Sequence, residues 1–133
     1  MFLPQPAAAL AGLTALHAGR LADPGRPAWI ALRGGLPAGM VQLGPPSPSL
    51  TTPDGAIDLA ESFTDPAARG LGIGTALFHV ALGWAHEHGY AWMTANWRTA
   101  STLAAPHWPR LGFRPLGFRL ARSLDPRVLD QRG

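Results

Sequence analysis

The chain has 133 residues, which suits a single domain, residues 1–133, around one core; 47% of them are hydrophobic and 14% charged, enough apolar matter to bury that core. All eleven basic residues are arginines, the net charge is +3, and there is no cysteine. That excludes disulfides, thiolate metal sites and a cysteine nucleophile, and makes the cytoplasm the default location. No apolar run approaches the ~20 residues of a membrane helix.

Residues 1–27 form a short N-terminal region. Its first twenty residues carry prolines at 4 and 6, lack a basic leader, and place His17 and Arg20 in the alanine-rich part, so they read as a helix rather than a signal peptide. Leu10, Leu13, Leu16 and Leu21 give Ala7 to Leu21 a roughly helical spacing. The turn chemistry of Asp23-Pro24-Gly25-Arg26-Pro27 stops that helix. Ala28 to Leu32 and Gly39 to Leu43 then read as a β-hairpin around Gly34-Gly35. Four prolines make Gly44 to Asp54 an irregular surface loop.

Ala56 to Thr64 alternates as a strand, with Ile57, Leu59 and Phe63 expected on one side and Glu61 among them. Asp65-Pro66 ends it. Arg69-Gly70-Leu71-Gly72-Ile73-Gly74-Thr75 follows and leads into a helix, Thr75 to His88, whose apolar stripe is Leu77, Val80, Ala81, Trp84 and Ala85. Gly89 closes that helix. Tyr90 to Trp97 reads as a strand, Ser101 to Leu111 as a helix distorted by Pro106 and Pro109, and Leu116 to Ser123 as a last strand. Helix, hairpin, strand, helix, strand, helix, strand is the order of a mixed α/β or α+β layered domain.

The glycine run is the strongest chemical signal. Glycines at alternate positions leave backbone N–H groups uncovered, and at a helix N-terminus those groups and the macrodipole together favour an anion. Three alternate glycines exceed what a tight turn requires, so a phosphate or pyrophosphate is the expected ligand. A Walker loop is excluded because there is no lysine, and the dinucleotide fingerprint because Gly70, Gly72 and Gly74 have the wrong last spacing. No acidic residue follows at the distance that a ribose contact needs.

Pro66-x-x-Arg69-Gly70-x-Gly72-Ile73-Gly74 between strand and helix resembles the acyl-CoA-binding motif of GNAT-type N-acetyltransferases. Ser101-x-x-Ala104-x-x-x-Trp108-x-x-x-Gly112-Phe113-x-Pro115 is similar to the second block of that family. The resemblance covers residues 28–124, leaving 125–133 as a tail. It implies a mostly antiparallel sheet splayed at a bulge in the central strand, the one before the glycine loop, helices on both faces and a shortened N-terminal part. It also implies acetyl-CoA as cosubstrate, an amine acceptor and direct attack in a ternary complex, with a non-catalytic acyl-CoA-binding module as the alternative.

The resemblance further implies residue roles. Arg69, Gly70, Leu71, Gly72, Ile73, Gly74 and Thr75 would hold the pyrophosphate. The backbone at Phe63 or Thr64 would meet the pantetheine arm and polarise the thioester carbonyl. Glu61 is the candidate base, the alternative being that it faces solvent or pairs with an arginine. Trp108 stands where the family often has the tyrosine acid, so it is expected to pack against the arm or the core, with His107 or water left to supply a proton. Ser101, often Asn in the family, would touch the arm or cap its helix.

Other features are expected to be bland. His79 and His86 share a helix face and His88 lies off it, a spacing that does not make a metal site. The five arginines from Arg110 to Arg127 read as a solvated edge rather than a nucleic-acid surface. Asp54, Asp58 and Glu61 are spaced too irregularly to form an acidic acceptor site. By the same resemblance, the short N-terminus implies a reduced acceptor wall, and with an exposed sheet edge a homodimer is the expectation.

Overall fold

A computed structural model of the protein describes residue 16, residues 18–97 and residues 104–118. Residues 18–22 are helical and end at a turn stapled by Asp23, whose Oδ1 accepts from the Gly25 N–H at 2.8 Å. The chain then builds strands β1 (Ala28–Arg33), β2 (Leu36–Gly44) and β3 (Ala56–Thr64), a 3-10 turn (Pro66–Ala68), helix α1 (Ile73–Glu87), strand β4 (Trp92–Ala95) and helix α2 (Ala104–Arg110). The hairpin turn needs left-handed backbone at two successive positions, and Gly34 and Gly35 adopt it with φ of 57° and 79°.

The four strands form one sheet in sequence order, antiparallel between β1 and β2 and between β2 and β3, parallel between β3 and β4. Helix α1 lies across one face. Val41, Leu43, Ile57 and Leu59 from the sheet meet Leu77, Phe78, Ala81 and Ala85 from the helix in one buried cluster. Gly39 belongs to this contact for a steric reason. A Cβ there would stand 3.1 Å from Ile73 Cγ2, 3.2 Å from Leu77 Cδ1 and 2.9 Å from the Phe63 carbonyl oxygen. The second block of the sequence closes the same core. Gly112 takes φ 90° after α2, and Phe113 turns back to pack between Trp108 and Phe78, with ring centroids 5.5 and 5.6 Å apart.

The opposite face carries the helical turn at 18–22. It is held there by Gln42, only 1% exposed in the middle of β2. Its Nε2 donates to the carbonyls of Arg20 (3.1 Å) and Arg26 (3.3 Å), so a buried amide is satisfied by pinning both ends of the turn segment.

Several expected boundaries shift. β4 is four residues long rather than running from Tyr90 to Trp97; α2 is described over Ala104–Arg110, and the expected start at Ser101 lies outside the described residues. Residues 116–118 lie outside any strand, with Leu116 and Phe118 exposed, which corrects the start of the expected last strand; its remaining part lies outside the described residues. The expected N-terminal helix is described only at residues 16 and 18–22.

Candidate active site

Two features of β3 make a site. First, β3 and β4 pair only over Ala56–Leu59 with Trp92–Ala95, and β3 then continues to Thr64 without β4 beside it. β4 ends at Ala95, so among the described residues the edge of β3 from residue 60 onward is left open and borders a slot. Second, the register with β2 slips by one where the pairing with β4 ends. Leu43 pairs with Leu59 but Gln42 pairs with Glu61, so Ala60 is an extra residue in a β-bulge.

The bulge reverses which way the following side chains point. Before it, Ile57 and Leu59 face α1. After it, Ser62 and Thr64 do so, and Glu61 and Phe63 face the other side with Gln42 and Met40. This corrects the alternation expected from sequence, which put Glu61 and Phe63 with Ile57 and Leu59. It also brings Asp58 and Glu61 to the same face, despite their irregular spacing.

The glycine loop sits at the α1 end of the slot. Asp65 Oδ1 accepts from the Ala67 N–H at 2.9 Å and starts the 3-10 turn, with Pro66 at its first position. Ala68 is buried and anchors that turn. Arg69 then leaves it, exposed and without an acidic partner among the described residues. Gly70 and Gly72 have φ of 76° and 81°, the left-handed region that side chains disfavour, and a Cβ at either would meet only open space. Gly74 serves differently: it lies inside the first turn of α1, where a Cβ would come within 3.3 Å of Thr64 Oγ1.

Gly72 is the N-cap of α1, and its carbonyl accepts from the Ala76 N–H at 2.9 Å. Among the described residues, none of the N–H groups from Gly70 to Thr75 has a partner within the chain. No acidic side chain occupies the first turn of α1. Among the described residues, unpaired N–H groups, a helix N-terminus and an exposed arginine without an acidic partner thus follow one another along this loop. That is the chemistry of a phosphate cradle, and the residues present fit a pyrophosphate.

Glu61 lies beyond the slot, on the face away from α1. Its Oε1 accepts from Arg20 Nη1 at 3.0 Å, and both side chains are about one-third exposed, 36% and 34%. Asp58 lies on the same face at the fork, one rung before the last β3–β4 pair. Its Oδ1 accepts from Thr94 Oγ1 at 2.8 Å. Burial pushes the Asp58 carboxyl above its ordinary value of 3.8, while the Thr94 hydrogen bond and the charge of Arg26 pull it back down.

Trp108 is 8% exposed and belongs to the core, one of the two places open to it. His107 rests edge-on against it with ring centroids 4.8 Å apart. Ser101 lies outside the described residues. Among the described residues no three His, Asp or Glu side chains are grouped as metal ligands. His88 stacks on Trp84 at 3.9 Å, with its Nδ1 2.8 Å from the Trp84 carbonyl oxygen. A shallow groove of about 490 Å3 lies toward the other end of α1, bounded by His79, Leu82, His86, Tyr90, Trp92 and Met93. It is remote from the glycine loop, and the unpaired donors there are the better guide to the site.

Sequence reasoning passed over Arg20, Gln42 and Thr94. Gln42 had a visible signal, as a lone polar residue in the apolar run Met40-Val41-Gln42-Leu43. Arg20 had none, being 41 residues from its partner.

A mixed sheet with a bulge in β3, and unpaired N–H groups at the start of the helix beside it, make an α+β domain with a candidate anion site. The model of the Acetyltransferase (GNAT) family matches residues 4–113, and the chain belongs to that family. No curated protein sequence matches it. The fold is similar to that of aminoglycoside N-acetyltransferase AAC(6')-Iy in complex with the bisubstrate analog CoA-S-monomethyl-acetylneamine. The TM-score is 0.73 at 17% identity, over 92% of this chain and 82% of that one. Aminoglycoside antibiotic 6'-N-acetyltransferase AAC(6')-IG from Acinetobacter haemolyticus gives 0.71 at 18% identity, over 86% and 79%. A Clostridium acetobutylicum protein assigned as an acetyltransferase, solved with acetyl-CoA, gives 0.68 at 22% identity, over 92% and 79%.

Proposed function

We propose that the protein is an N-acetyltransferase that moves an acetyl group from acetyl-CoA to an amine by direct attack, with both substrates bound together. The observation that carries this reading is the fan of unpartnered N–H groups from Gly70 to Thr75 at the mouth of the β3–β4 slot. Family membership supports acetyl transfer as the activity.

In this reading Arg69, Gly70, Leu71, Gly72, Ile73, Gly74 and Thr75 hold the pyrophosphate of CoA. The free edge of β3 at Phe63 and Thr64 pairs with the pantetheine arm and directs a backbone N–H at the thioester carbonyl, stabilising the charge that develops on its oxygen. Ser101 adds a contact to the arm, and Trp108 backs the pocket from within the core. The slot joins the two faces of the sheet, so the acetyl group presented from the α1 side reaches the face that carries Glu61. There the amine nitrogen bonds to the acetyl carbon, the carbon–sulfur bond breaks, and Glu61 takes the proton that the nitrogen sheds. The departing thiolate is protonated from water or His107, since the indole of Trp108 is a poor proton donor and is buried.

The test is calorimetric titration with acetyl-CoA, followed by thiol release with a panel of amines. Neamine belongs in that panel because its acetyl derivative forms the analog bound to AAC(6')-Iy. Saturable acetyl-CoA binding and thiol release with at least one amine are expected. Absence of acetyl-CoA binding refutes the reading, and binding without turnover across the panel replaces it with a non-catalytic acyl-CoA-binding module. Glu61→Gln is expected to lower turnover about 100-fold with acetyl-CoA affinity unchanged. Full activity in that variant removes Glu61 as the base.

A further inference from the structure

Arg20 and Glu61 are joined in a way that suits exchange rather than permanent structure. The contact is a single one, Nη1 to Oε1, not the two-pronged pairing that makes a rigid arginine–carboxylate clamp. Both side chains remain about one-third exposed, so each can be rehydrated when the pair opens. The backbone of Arg20, by contrast, is fixed, because buried Gln42 binds its carbonyl and that of Arg26. A pinned main chain carrying a long side chain with one exposed contact is a swinging arm. Arg26, on the same segment, shows the other behaviour: it lies against Gly44, where a Cβ would meet its Nη1, and pairs with Asp23 at 3.5 Å.

The position of the arm matters because Glu61 lies just past the bulge, on the unpaired length of β3 beside the slot. We propose that Arg20 is a positioning residue that occupies, on the Glu61 carboxylate, the seat of the acceptor's nitrogen, and that swings off when the acceptor arrives. This rests on the N-acetyltransferase reading above. An incoming ammonium carries the same charge as the guanidinium it displaces, so the exchange never strands the carboxylate uncompensated. While Arg20 is seated, Oε1 accepts from a group that gives up no proton, and a water must compete with the guanidinium for that oxygen. The arm thereby protects the thioester from hydrolysis until an amine is present.

The test needs no knowledge of the acceptor. In hydrolysis, a water oxygen bonds to the acetyl carbon and the carbon–sulfur bond breaks. The proton of the water passes to Glu61, and CoA leaves as a thiolate that is then protonated, giving acetate and CoA thiol. Arg20→Ala and Arg20→Gln are each expected to raise acetyl-CoA hydrolysis by about tenfold, a fraction of what a positioned base supplies. Arg20→Lys is expected to restore protection, and Glu61→Gln placed in the Arg20→Ala background to abolish the rise. Acetyl-CoA affinity, measured by titration in each variant, is expected to stay at the wild-type value. Hydrolysis that is unchanged or lower in both variants, at wild-type acetyl-CoA affinity, overturns the proposal and leaves the acetyltransferase reading standing. So does a rise that survives Glu61→Gln. Failure of the wild-type protein to bind acetyl-CoA overturns the acetyltransferase reading itself, and the role of Arg20 with it.

Discussion

Gly72 and Asp58 show how much a single residue decides at this site. Gly72 holds φ 81° at the start of α1, with open space where a Cβ would project. Gly72→Val has room for its Cβ, yet it forces a β-branched residue into left-handed backbone, at a cost of about 1–2 kcal/mol or more. It also covers the N–H groups beside it. We expect acetyl-CoA affinity to fall by at least about tenfold, read by calorimetric titration, together with a lower melting temperature. Asp58 makes a pH prediction. Burial raises its carboxyl above the ordinary 3.8, with Thr94 and Arg26 opposing, so the folded protein binds this proton more tightly than the unfolded chain. The stabilisation is complete below the unfolded value and is lost as pH rises through the folded one. Asp58→Asn keeps an oxygen for the Thr94 hydroxyl and removes the titration. Its melting temperature is expected to exceed that of the wild type at neutral pH and to lose the decline above pH 4; an identical pH profile for the two proteins would refute this.

Helix α1 is the element that connects the core to the site. Its inner face is Leu77, Phe78, Ala81 and Ala85, and its N-terminus is the cradle. Gly83 interrupts its exposed side, where a Cβ would meet nothing within 4 Å. Gly83→Ala should stabilise the protein by about 0.5–1 kcal/mol, seen as a higher urea midpoint at constant slope. Acetyl-CoA affinity should not change, because the substitution lies three turns from the cradle. At this scale the sequence was legible where the cause is local. Asp65-Pro66 ends β3 and opens the 3-10 turn, the glycines start α1, and Gly112 ends α2, each through backbone preferences written in one or two residues. The resemblance implied a bulge in this strand, but its position was not legible. Ala60 carries no glycine or proline mark, and the slip is created by how β3 pairs with β2 on one side and loses β4 on the other.

At the scale of the molecule, the described residues build a core on the α1 side of the sheet, and the second motif block is part of it. Trp108 and Phe113 close the core against Phe78 at the end of α1 nearer the cradle. Trp108→Ala should cost about 3–5 kcal/mol, a large share of the about 5–15 kcal/mol that holds a domain together. A drop in urea midpoint of that size is expected, with Trp108→Phe recovering much of it. A midpoint unchanged from wild type would show that the indole packs against ligand rather than core. The family-like spacing had placed an aromatic here without saying whether it faces the core or a ligand, and only its burial decides between them.

The sequence by itself determined the family and marked a candidate anion site: uncovered N–H groups, left-handed glycines and helix starts are properties of short segments, and they survive in any tertiary setting that lets the helix form. It determined too that a carboxylate would lie on the strand before the loop. The tertiary structure alone decided where that carboxylate points and what it meets. A one-residue slip in strand pairing reverses a side chain's face, and an arginine pinned by a buried glutamine reaches across 41 residues to meet it. Both depend on pairing between distant segments, which no local pattern records.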